Sequence, residues 1–408
     1  MAGIIMNSEP FPEEKLLMMH EDARYDVADD DKACIPDLYS IRTGIKSKLS
    51  PPKVPKVFLS NNCIFNCAYC SCRCSNDKRR YAAAPKELAE LSVKQARLSS
   101  RGIFITSAIY KNPDYTQELI IETLKIIRRD YYYKGYIHAK VMPGADRELI
   151  YQTGTLANRL SVNIEVAKSE NYNLIAKNKN KNNILTPMGQ ISALIKAMKN
   201  DSSRFRPAFA VSQTTQLMAG SAGEDDYTIL RLSRALYRKY DLKRIYYTAF
   251  HYEHPAVGYD NLSFTTTPKW RVARLYQADR LISLYGFSAE ELAPESSPNL
   301  MRDIDPKAAW AIRNLHLFPV EANKADYEML LRVPGIGVTL SKRIIAARKT
   351  MTITFEVLKA LGVSMRRSAN FLTCIGKFYG GVCLDTEMLK TTLSDKAPIF
   401  TDQLSLTL

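Results

Sequence analysis

Short apolar runs alternate with longer amphipathic segments through the middle of the chain. Six runs with strand-like spacing cover residues 56–60, 103–107, 136–141, 160–166, 207–213 and 244–250. Apolar residues with helical spacing cover 85–99, 114–129, a segment from about 146, a segment from about 186, 225–240 and 268–285. Strands that alternate with helices predict parallel βαβ units, which right-handed crossovers either curl into a partial (β/α)6 barrel or lay out as an open sheet. In both arrangements the reactive face lies at the carboxyl ends of the strands.

Two features near the fourth strand refine this prediction. The helix after that strand is predicted to begin at Thr186–Pro187, since proline fits the first turn of a helix, and the polar stretch 177–183 is predicted to be a loop. Within the strand, Ser161, Asn163 and Glu165 alternate with apolar residues. Polar and acidic side chains are costly to place inside a barrel unless they bind something. This face therefore predicts a binding site.

Composition along the chain divides it into four predicted segments. Residues 1–50 form an acidic N-terminal extension, 51–290 carry the strands and helices, 291–320 form a connector, and 321–408 form a mostly helical unit.

No run of eighteen apolar residues is present, and the N-terminus lacks the basic and apolar regions of a secretory signal. We therefore expect a cytoplasmic protein without a transmembrane helix.

Charge is distributed unevenly along the chain. The 408 residues carry a net charge of +15, but residues 1–37 hold ten acidic and three basic side chains, which gives −7 there and +22 for the remainder. A basic body suits a polyphosphate partner, because each neutralised phosphate releases a condensed counterion. A solvated surface that its charge keeps soluble explains the same numbers equally well. Charge alone leaves both interpretations open.

Five of the eight cysteines lie within twelve residues, at Cys63, Cys67, Cys70, Cys72 and Cys74. In a chain without an export signal, such a cluster indicates a metal or iron–sulfur site rather than a disulfide framework. The first three have the spacing C-x3-C-x2-C. Three thiolates can hold three irons of a [4Fe–4S] cubane and leave the fourth iron open to a small molecule. Cys72 and Cys74 could complete a zinc site instead, so zinc stays an alternative.

The cysteine loop follows the first predicted strand, and Tyr69 stands directly before its third cysteine. In these features the chain resembles the radical S-adenosylmethionine (radical SAM) superfamily, in which a CxxxCxxC loop follows strand one of a partial (β/α)6 barrel. The resemblance implies that SAM binds the open iron through its amino and carboxylate groups, with Tyr69 among the cofactor contacts. It also implies that one-electron reduction yields a 5′-deoxyadenosyl radical that abstracts a hydrogen atom.

The resemblance assigns further positions to SAM. Thr106 and Ser107 end the second strand, where the family binds the amino group of SAM, although the usual Gly-Gly-Glu is absent. Asn163 and Glu165 fall where the family contacts the ribose and methionine parts of SAM. Gly220 falls in a segment after strand five that resembles the adenine-contact segment of the family.

A glycine hairpin separates two apolar helical segments in the last part of the chain. Its sequence is Pro334-Gly335-Ile336-Gly337, and residues 332–377 around it hold nine basic side chains and one acidic one. Backbone N–H groups that converge at the start of a helix form an anion site. The segment closely resembles the helix–hairpin–helix motif of DNA repair proteins, which binds DNA phosphates without reading the sequence. Residues 357–363 resemble a second, degenerate hairpin.

This resemblance implies a set of phosphate contacts, namely Gly335, Gly337, Thr339, Lys342 and Arg343. Such hairpins also serve protein contacts, and that alternative stays open. A Rossmann fingerprint is less compatible, because no strand precedes the glycines and the third glycine is missing. We favour nucleic acid because of the local charge.

The order of the two motifs narrows the resemblance. A radical SAM domain followed by the segments 270–287 and 303–310 and a helix–hairpin–helix unit looks like the DNA modification/repair radical SAM protein family, from about residue 50 onward. That resemblance implies DNA as a partner, together with an electron donor such as flavodoxin or ferredoxin and a uracil-DNA-glycosylase-like protein. Cys72 and Cys74 depart from the family, which usually has no cysteine directly after the third ligand.

Two other functional classes fit the same sequence. A radical SAM enzyme could act on RNA or protein instead of DNA, and a non-catalytic DNA-binding protein could carry a structural cluster. A structural cluster needs neither an open iron nor polar residues on strand four, so both features favour an enzyme. The sequence identifies neither the modified base nor the outcome of the reaction.

Overall fold

The computed structural model describes residues 54, 56–99, 102–203, 207–250, 266–379 and 385–394. These residues form two compact units. The first unit holds the described residues up to Ala222 and those within Leu236–Thr266, and the second holds Gly223–Ala235 and those from Thr267 onward. The predicted extension 1–50 lies outside the described residues. The borders at residues 290 and 320 that composition predicts between the segments stay predictions.

A six-stranded parallel sheet forms the centre of the first unit. Its strands lie side by side in chain order and cover β1 (Lys56–Phe58), β2 (Ile103–Thr106), β3 (Ile137–Lys140), β4 (Arg159–Ser161), β5 (Ser212–Ala219) and β6 (Arg244–Ala249). The helices between them are α1 (Pro85–Ser99), α2 (Pro113–Arg129), α3 (Arg147–Leu156), α4 (Asn171–Ile175), α5 (Lys181–Asn200) and α6 (Asp226–Tyr240). The predicted α/β class with a partial (β/α)6 arrangement is therefore confirmed.

The two faces of this sheet differ in polarity. One face carries buried apolar residues in matching register, namely Val57, Ile105, Ala139 and Leu160. Gln213 on the same face donates hydrogen bonds to carbonyl oxygens of Met188 in α5 and Tyr240 in α6, so the helices cover this side. The alternate strand residues point to the opposite side, here called the inner face, which runs from Lys56 in β1 to Thr248 in β6.

Helix α5 begins earlier than predicted. The side chain of Asn180 accepts a hydrogen bond from the backbone N–H of Asn183, and the side chain of Asn183 accepts one from the backbone N–H of Asn180. This reciprocal cap starts the helix at Lys181, so Pro187 lies inside the helix. The predicted loop over 177–183 is wrong in its last residues, and the predicted start at the proline is wrong as well.

Strand β5 lies later than predicted, at Ser212–Ala219 instead of 207–213. Its neighbour β4 is shorter than predicted because a side chain interrupts the pairing. The hydroxyl of Thr215 donates to the carbonyl oxygen of Val162 at 2.7 Å and accepts from the N–H of Ile164 at 2.9 Å. These two bonds replace the backbone partners that a regular ladder would provide.

The second unit, which also includes the first part of α6 up to Ala235, is mostly helical. Its elements are α7 (Lys269–Tyr285), α8 (Ala289–Leu292), α9 (Pro306–Arg313), α10 (Tyr327–Arg332), α11 (Val338–Ala347), α12 (Phe355–Ala360), α13 (Met365–Ser368), α14 (Thr386–Leu393) and a parallel pair of β7 (Val320–Glu321) and β8 (Leu372–Thr373). Trp310 makes T-shaped contacts with Phe287 and Phe318, at ring distances of 5.3 and 6.2 Å, and so anchors the aromatic core. None of the helices in the described ranges is long and apolar enough to cross a membrane.

Candidate functional site

The cysteine loop leaves the carboxyl end of β1 and stays paired with the segment that follows β2. Ala108 donates its backbone N–H to Ser60, and Ile64 donates to Ile109, both at 2.9 Å. These bonds extend the contact between the two strands beyond their ends. The loop therefore begins at the edge of the sheet where a reactive site is expected.

Arg80 holds the loop together from its far end. Its guanidinium donates to the carbonyl oxygens of Asn61 (2.7 Å), Cys72 (2.8 Å), Arg73 (2.6 Å) and Asn76 (2.9 Å). Charge-assisted bonds to four backbone positions restrict the conformations open to the loop. We call this arrangement the Arg80 clamp. No sequence pattern predicts it, because all four acceptors are backbone atoms.

The three predicted cluster cysteines lie on this clamped loop. Cys67 is buried, while Cys63 and Cys70 are half-buried and pack against Phe58 and Cys72. Each of the three thiols is close enough to another for their charges to interact. The structure therefore brings together the residues that the C-x3-C-x2-C spacing singled out.

The surroundings of the thiols set their acidity in the metal-free chain. Burial raises the pKa of Cys63 to about 11 and that of Cys67 to about 12. A hydrogen bond with the side chain of Cys72 lowers the pKa of Cys70 to about 7. Two of the thiols are therefore protonated at neutral pH until a metal binds, since a coordinating metal deprotonates its thiol ligands.

The arrangement of donors bears on which metal the loop fits. In the part of the chain that the structure describes, no three Cys, His, Asp or Glu side chains are arranged to hold a single metal ion. A tetrahedral zinc site needs such an arrangement, whereas a cubane cluster places each thiolate on a different iron. Three neighbouring soft donors on one loop suit a thiolate-bound metal centre, and both the iron–sulfur cluster and the zinc alternative stay predictions.

A buried lysine joins the cysteine loop to the end of strand four. The Nζ atom of Lys179 donates to the hydroxyl of Tyr69 at 3.0 Å and to Oε1 of Glu165 at 2.9 Å, and the two charged side chains are 11% and 5% exposed. Burial alone would lower the pKa of Lys179, but the charge of Glu165 and the hydrogen bond to it outweigh burial and raise that pKa. Sequence reasoning missed this residue because it lies in the polar stretch 177–183.

Glu165 combines a strained backbone with an unpaired carboxylate oxygen. Its φ of +62° lies in the left-handed region, and its N–H and C=O groups bond to Gln216 and Met218 of β5 at 2.9 Å. Its Oε2 atom is buried and has no hydrogen-bond partner among the described residues. Strained residues with orphaned polar atoms concentrate at functional sites. This oxygen is therefore available to a donor group of a ligand.

The other predicted cofactor contacts lie at the same edge of the sheet. Thr106 is the buried last residue of β2, and the hydroxyl of Ser107 donates to the carbonyl oxygen of Ala108 at 2.7 Å. Asn163 is half-buried just beyond β4, and Gly220 follows β5 with a φ of +75°. The carboxyl ends of parallel strands bring these residues to one edge, and their contact with SAM stays a prediction.

The predicted DNA-binding hairpin joins α10 and α11 in the second unit. A Cβ atom at Gly335 would lie 2.7 Å from the hydroxyl of Ser368 and 2.9 Å from Cβ of Arg367, and one at Gly337 would lie 2.9 Å from the hydroxyl of Tyr285. Gly335 also has a φ of +83°. Packing and backbone conformation within the unit therefore account for both glycines, and phosphate approach is not needed to explain them.

Part of the basic charge of this segment is used inside the unit. Arg332 pairs with Glu291, and Arg367 pairs with Asp305. Arg348 donates to a backbone carbonyl oxygen. The count of nine basic side chains therefore overstates the charge that is available to a partner.

The remaining predicted contacts are exposed on helix α11. Thr339, Lys342 and Arg343 are exposed, as are Lys349 and Lys359 nearby. Exposed cations on one short segment are suited to phosphate contacts, which need charge but no exact geometry. Which partner this surface binds stays a prediction.

Comparisons with known proteins give a distant likeness in overall structure. No protein-family model matches the chain, and no curated protein matches it. A similar solved structure is that of HydG, a maturase of the [FeFe]-hydrogenase, with a TM-score of 0.41 and 14% identity. The match covers 67% of this chain and 62% of the length of HydG. A likeness of this size assigns no function, so the fold assignment rests on the strand order itself.

We predict that Arg80→Met loosens the cysteine loop but leaves the sheet folded, because four backbone carbonyl groups lose their donor. Hydrogen bonds to a charged group contribute roughly 1.5–3 kcal/mol, so amide hydrogen exchange across 61–76 should become at least about tenfold faster. Mass spectrometry of deuterium uptake measures this. Arg97→Met, at an exposed position on α1, is the matched control. Equal protection in both variants would contradict the clamp.

Proposed function

We propose that the chain is a radical SAM enzyme that binds one [4Fe–4S] cluster through Cys63, Cys67 and Cys70. The observation that carries this proposal is the position of the three thiols, on a clamped loop at the carboxyl end of β1 in a six-stranded parallel sheet. Three thiolates suit a cubane with one open iron. The orphaned carboxylate oxygen of Glu165 and the ammonium group of Lys179 add polar groups suited to a small zwitterionic cofactor.

When bound, the cluster and SAM supply a 5′-deoxyadenosyl radical that removes a hydrogen atom from a substrate. Residues of this chain then have separate tasks. The three cysteines would hold the cluster, Glu165 would offer an acceptor to SAM, and Lys179 would hold that carboxylate in place. Both side chains of this pair have little exposure to solvent, which strengthens polar contacts made there.

We further propose that the substrate is nucleic acid and that the process is DNA modification or repair. The support is the order of the two sequence motifs and the exposed residues Thr339, Lys342 and Arg343. The glycine hairpin itself lends less support, because packing explains Gly335 and Gly337. RNA and protein are the competing substrate classes.

The proposal includes partners and a compartment. A one-electron donor such as flavodoxin or ferredoxin would reduce the cluster, and a uracil-DNA-glycosylase-like protein is proposed from the family resemblance alone. The cytoplasm is the proposed compartment, since it keeps thiols reduced. A non-catalytic DNA-binding protein with a structural cluster is the competing proposal, and SAM cleavage separates the two.

Each of Cys63→Ala, Cys67→Ala and Cys70→Ala is expected to abolish the cluster in anaerobically prepared protein, because two thiolates do not hold a cubane securely. Cys74→Ala, at an exposed position, and Cys72→Ala should keep it. Iron and sulfide per chain are the measured quantities. Full iron content in Cys67→Ala, or one zinc per chain instead of iron, would show that the assignment is wrong.

Reduced protein is expected to cleave SAM to 5′-deoxyadenosine and methionine. The double variant Glu165→Gln/Lys179→Met removes both charges of the buried pair at once, so neither is left unpaired. We expect it to weaken SAM binding about tenfold or more, in line with the loss of a charge-assisted contact, while iron content is unchanged. Lys177→Met is the control.

Equilibrium dialysis with labelled SAM measures the affinity, and chromatography measures the products. If the double variant binds SAM with unchanged affinity, Glu165 and Lys179 do not contribute to SAM binding. If wild-type protein neither binds nor cleaves SAM under strong reductant, the structural-cluster proposal is correct.

DNA binding is expected to depend on Lys342 and Arg343 and to fall steeply with salt. The slope of log affinity against log salt is about −0.9 per phosphate contact on duplex DNA. Lys342→Glu/Arg343→Glu should therefore flatten the slope by about 1.8, as measured by fluorescence anisotropy. Lys86→Glu/Lys94→Glu, a matched pair of exposed lysines on α1, should change it less. Equal slopes for both double variants would indicate that α11 serves a protein contact and does not bind DNA phosphates.

A further inference from the structure

A tight turn directly after β8 places an apolar side chain in solvent. Cys374 and Lys377 exchange two backbone hydrogen bonds, of 3.0 and 3.1 Å, across Ile375 and Gly376. The φ angles of these two central residues are +55° and +70°, as in a type I′ turn. The side chain of Ile375 is 61% exposed. The turn therefore presents an isoleucine at its tip.

Isoleucine is an unusual residue for this position. A left-handed backbone is strained for a β-branched residue, and asparagine, aspartate or glycine normally occupies the centre of such a turn. Because the side chain of Ile375 is largely exposed, its burial does not offset that strain. Strained residues concentrate at functional sites. The side chain of Ile375 therefore points to contact with a partner.

The carboxylate of Glu321 holds the tip of the turn in place. The backbone N–H of Ile375 donates to its Oε1 at 3.1 Å, and that of Gly376 donates to its Oε2 at 3.0 Å. Asn323 donates to Oε1 through its backbone N–H at 3.2 Å and its side-chain amide at 2.9 Å. Burial raises the pKa of Glu321, but these hydrogen bonds outweigh it and lower that pKa to about 2. The tip is therefore fixed by bonds to an ionised group, which are stronger than neutral ones.

The surface beside the tip carries an aromatic ring and amino groups. Lys377 in the turn is exposed, and the ring of Tyr379 is 39% exposed. Nζ of Lys359 lies 4.5 Å from the centroid of that ring. A Cβ atom at Gly376 would meet no described atom within 4 Å, so there is open space beside the tip.

The exposed charge of this part of the second unit is mostly positive. Within residues 321–379, the exposed basic side chains are Lys324, Lys342, Arg343, Lys349, Lys359, Arg366 and Lys377, and the exposed acidic ones are Asp326, Glu328 and Glu356. Seven cations against three carboxylates favour an anionic partner over a basic one. Exposed aromatic and cationic side chains together are typical of surfaces that bind nucleic acid.

We propose that Ile375 is a wedge that enters the base stack of a nucleic acid, with Lys377 and Lys359 beside it at phosphate groups. Apolar side chains such as isoleucine partly unstack a duplex when they are inserted between base steps. A wedge has to be rigid to do this. Isoleucine is stiff about χ1, and Glu321 fixes the backbone that carries it. The ring of Tyr379 offers a platform on which a freed base stacks.

This inference rests on the nucleic-acid part of the proposed function and adds that the duplex is opened locally. An enzyme that acts on a base of a duplex reaches its target atom only after the base leaves the stack. A wedge lowers the cost of that step. Unstacking by the turn needs neither cluster nor SAM, so the result is independent of the radical SAM proposal.

The test uses the full chain and short DNA duplexes that carry 2-aminopurine, a base analogue that becomes brighter when it is unstacked, in turn at each central position. We expect a rise in its fluorescence on binding, while the anisotropy of an end label on the same duplex reports affinity. Ile375→Asn should abolish the rise and leave the salt dependence of affinity unchanged, because asparagine accepts the left-handed backbone but is no apolar wedge. Its unfolding temperature should not fall, since the strain is relieved. Val211→Asn, at a β-branched position of the first unit that is 77% exposed, is the matched control and should keep the rise.

The two readouts distinguish the ways in which the proposal fails. Binding without a fluorescence rise, or an equal rise with Ile375→Asn, would overturn the wedge and leave DNA binding intact, and the turn would then serve a protein contact. No binding of DNA even at low salt would overturn the nucleic-acid part of the proposed function as well. Ile375→Gly, which also relieves the strain, decides the question if Ile375→Asn does not fold.

Discussion

The buried contact between Lys179 and Glu165 is the interaction on which the candidate site depends. It links the end of β4 to the start of α5, and through Tyr69 it reaches the cysteine loop. The backbone N–H of Ala68 adds a bond to Ile175 at 2.8 Å. A buried ion pair contributes little net stability, but the loss of one partner costs about 3–5 kcal/mol. The pair therefore serves mainly to fix where the loop lies.

Around that contact, one sheet performs two tasks. Its helix-covered face is mostly apolar and supplies the core, while its inner face carries cations, hydroxyl groups and one histidine among the described strand residues. Burial of apolar area stabilises the unit by about 25 cal/mol per Å², which offsets the cost of a polar face. The Arg80 clamp then sets the cysteine loop at one end of that face. The alternation of side chains along each strand thus separates a mostly apolar face from a more polar one.

The sequence predicts the sheet well and the site only in part, for a physical reason. Strand and helix periodicity is local, so β1, β2, β3 and β6 were found close to their observed bounds. Prediction fails where a single side-chain contact decides, as with the Asn180 cap, which starts the helix at Lys181, ahead of Pro187. Cysteine spacing is local too and was found, but Arg80 and Lys179 act on atoms far along the chain and had no sequence signal. Packing within the unit explains the glycines at 335 and 337, a role that the sequence could not distinguish from phosphate binding, and their DNA contact stays a prediction.

The central claim is that three cysteines hold a cluster with one iron open to SAM. Electron paramagnetic resonance of the reduced, anaerobically prepared protein tests it most directly. The account predicts the signal of a reduced [4Fe–4S] cluster whose g values change when SAM is added, because SAM coordinates the open iron. A cluster signal that SAM leaves unchanged, or no cluster signal in protein with intact cysteines, would contradict the account.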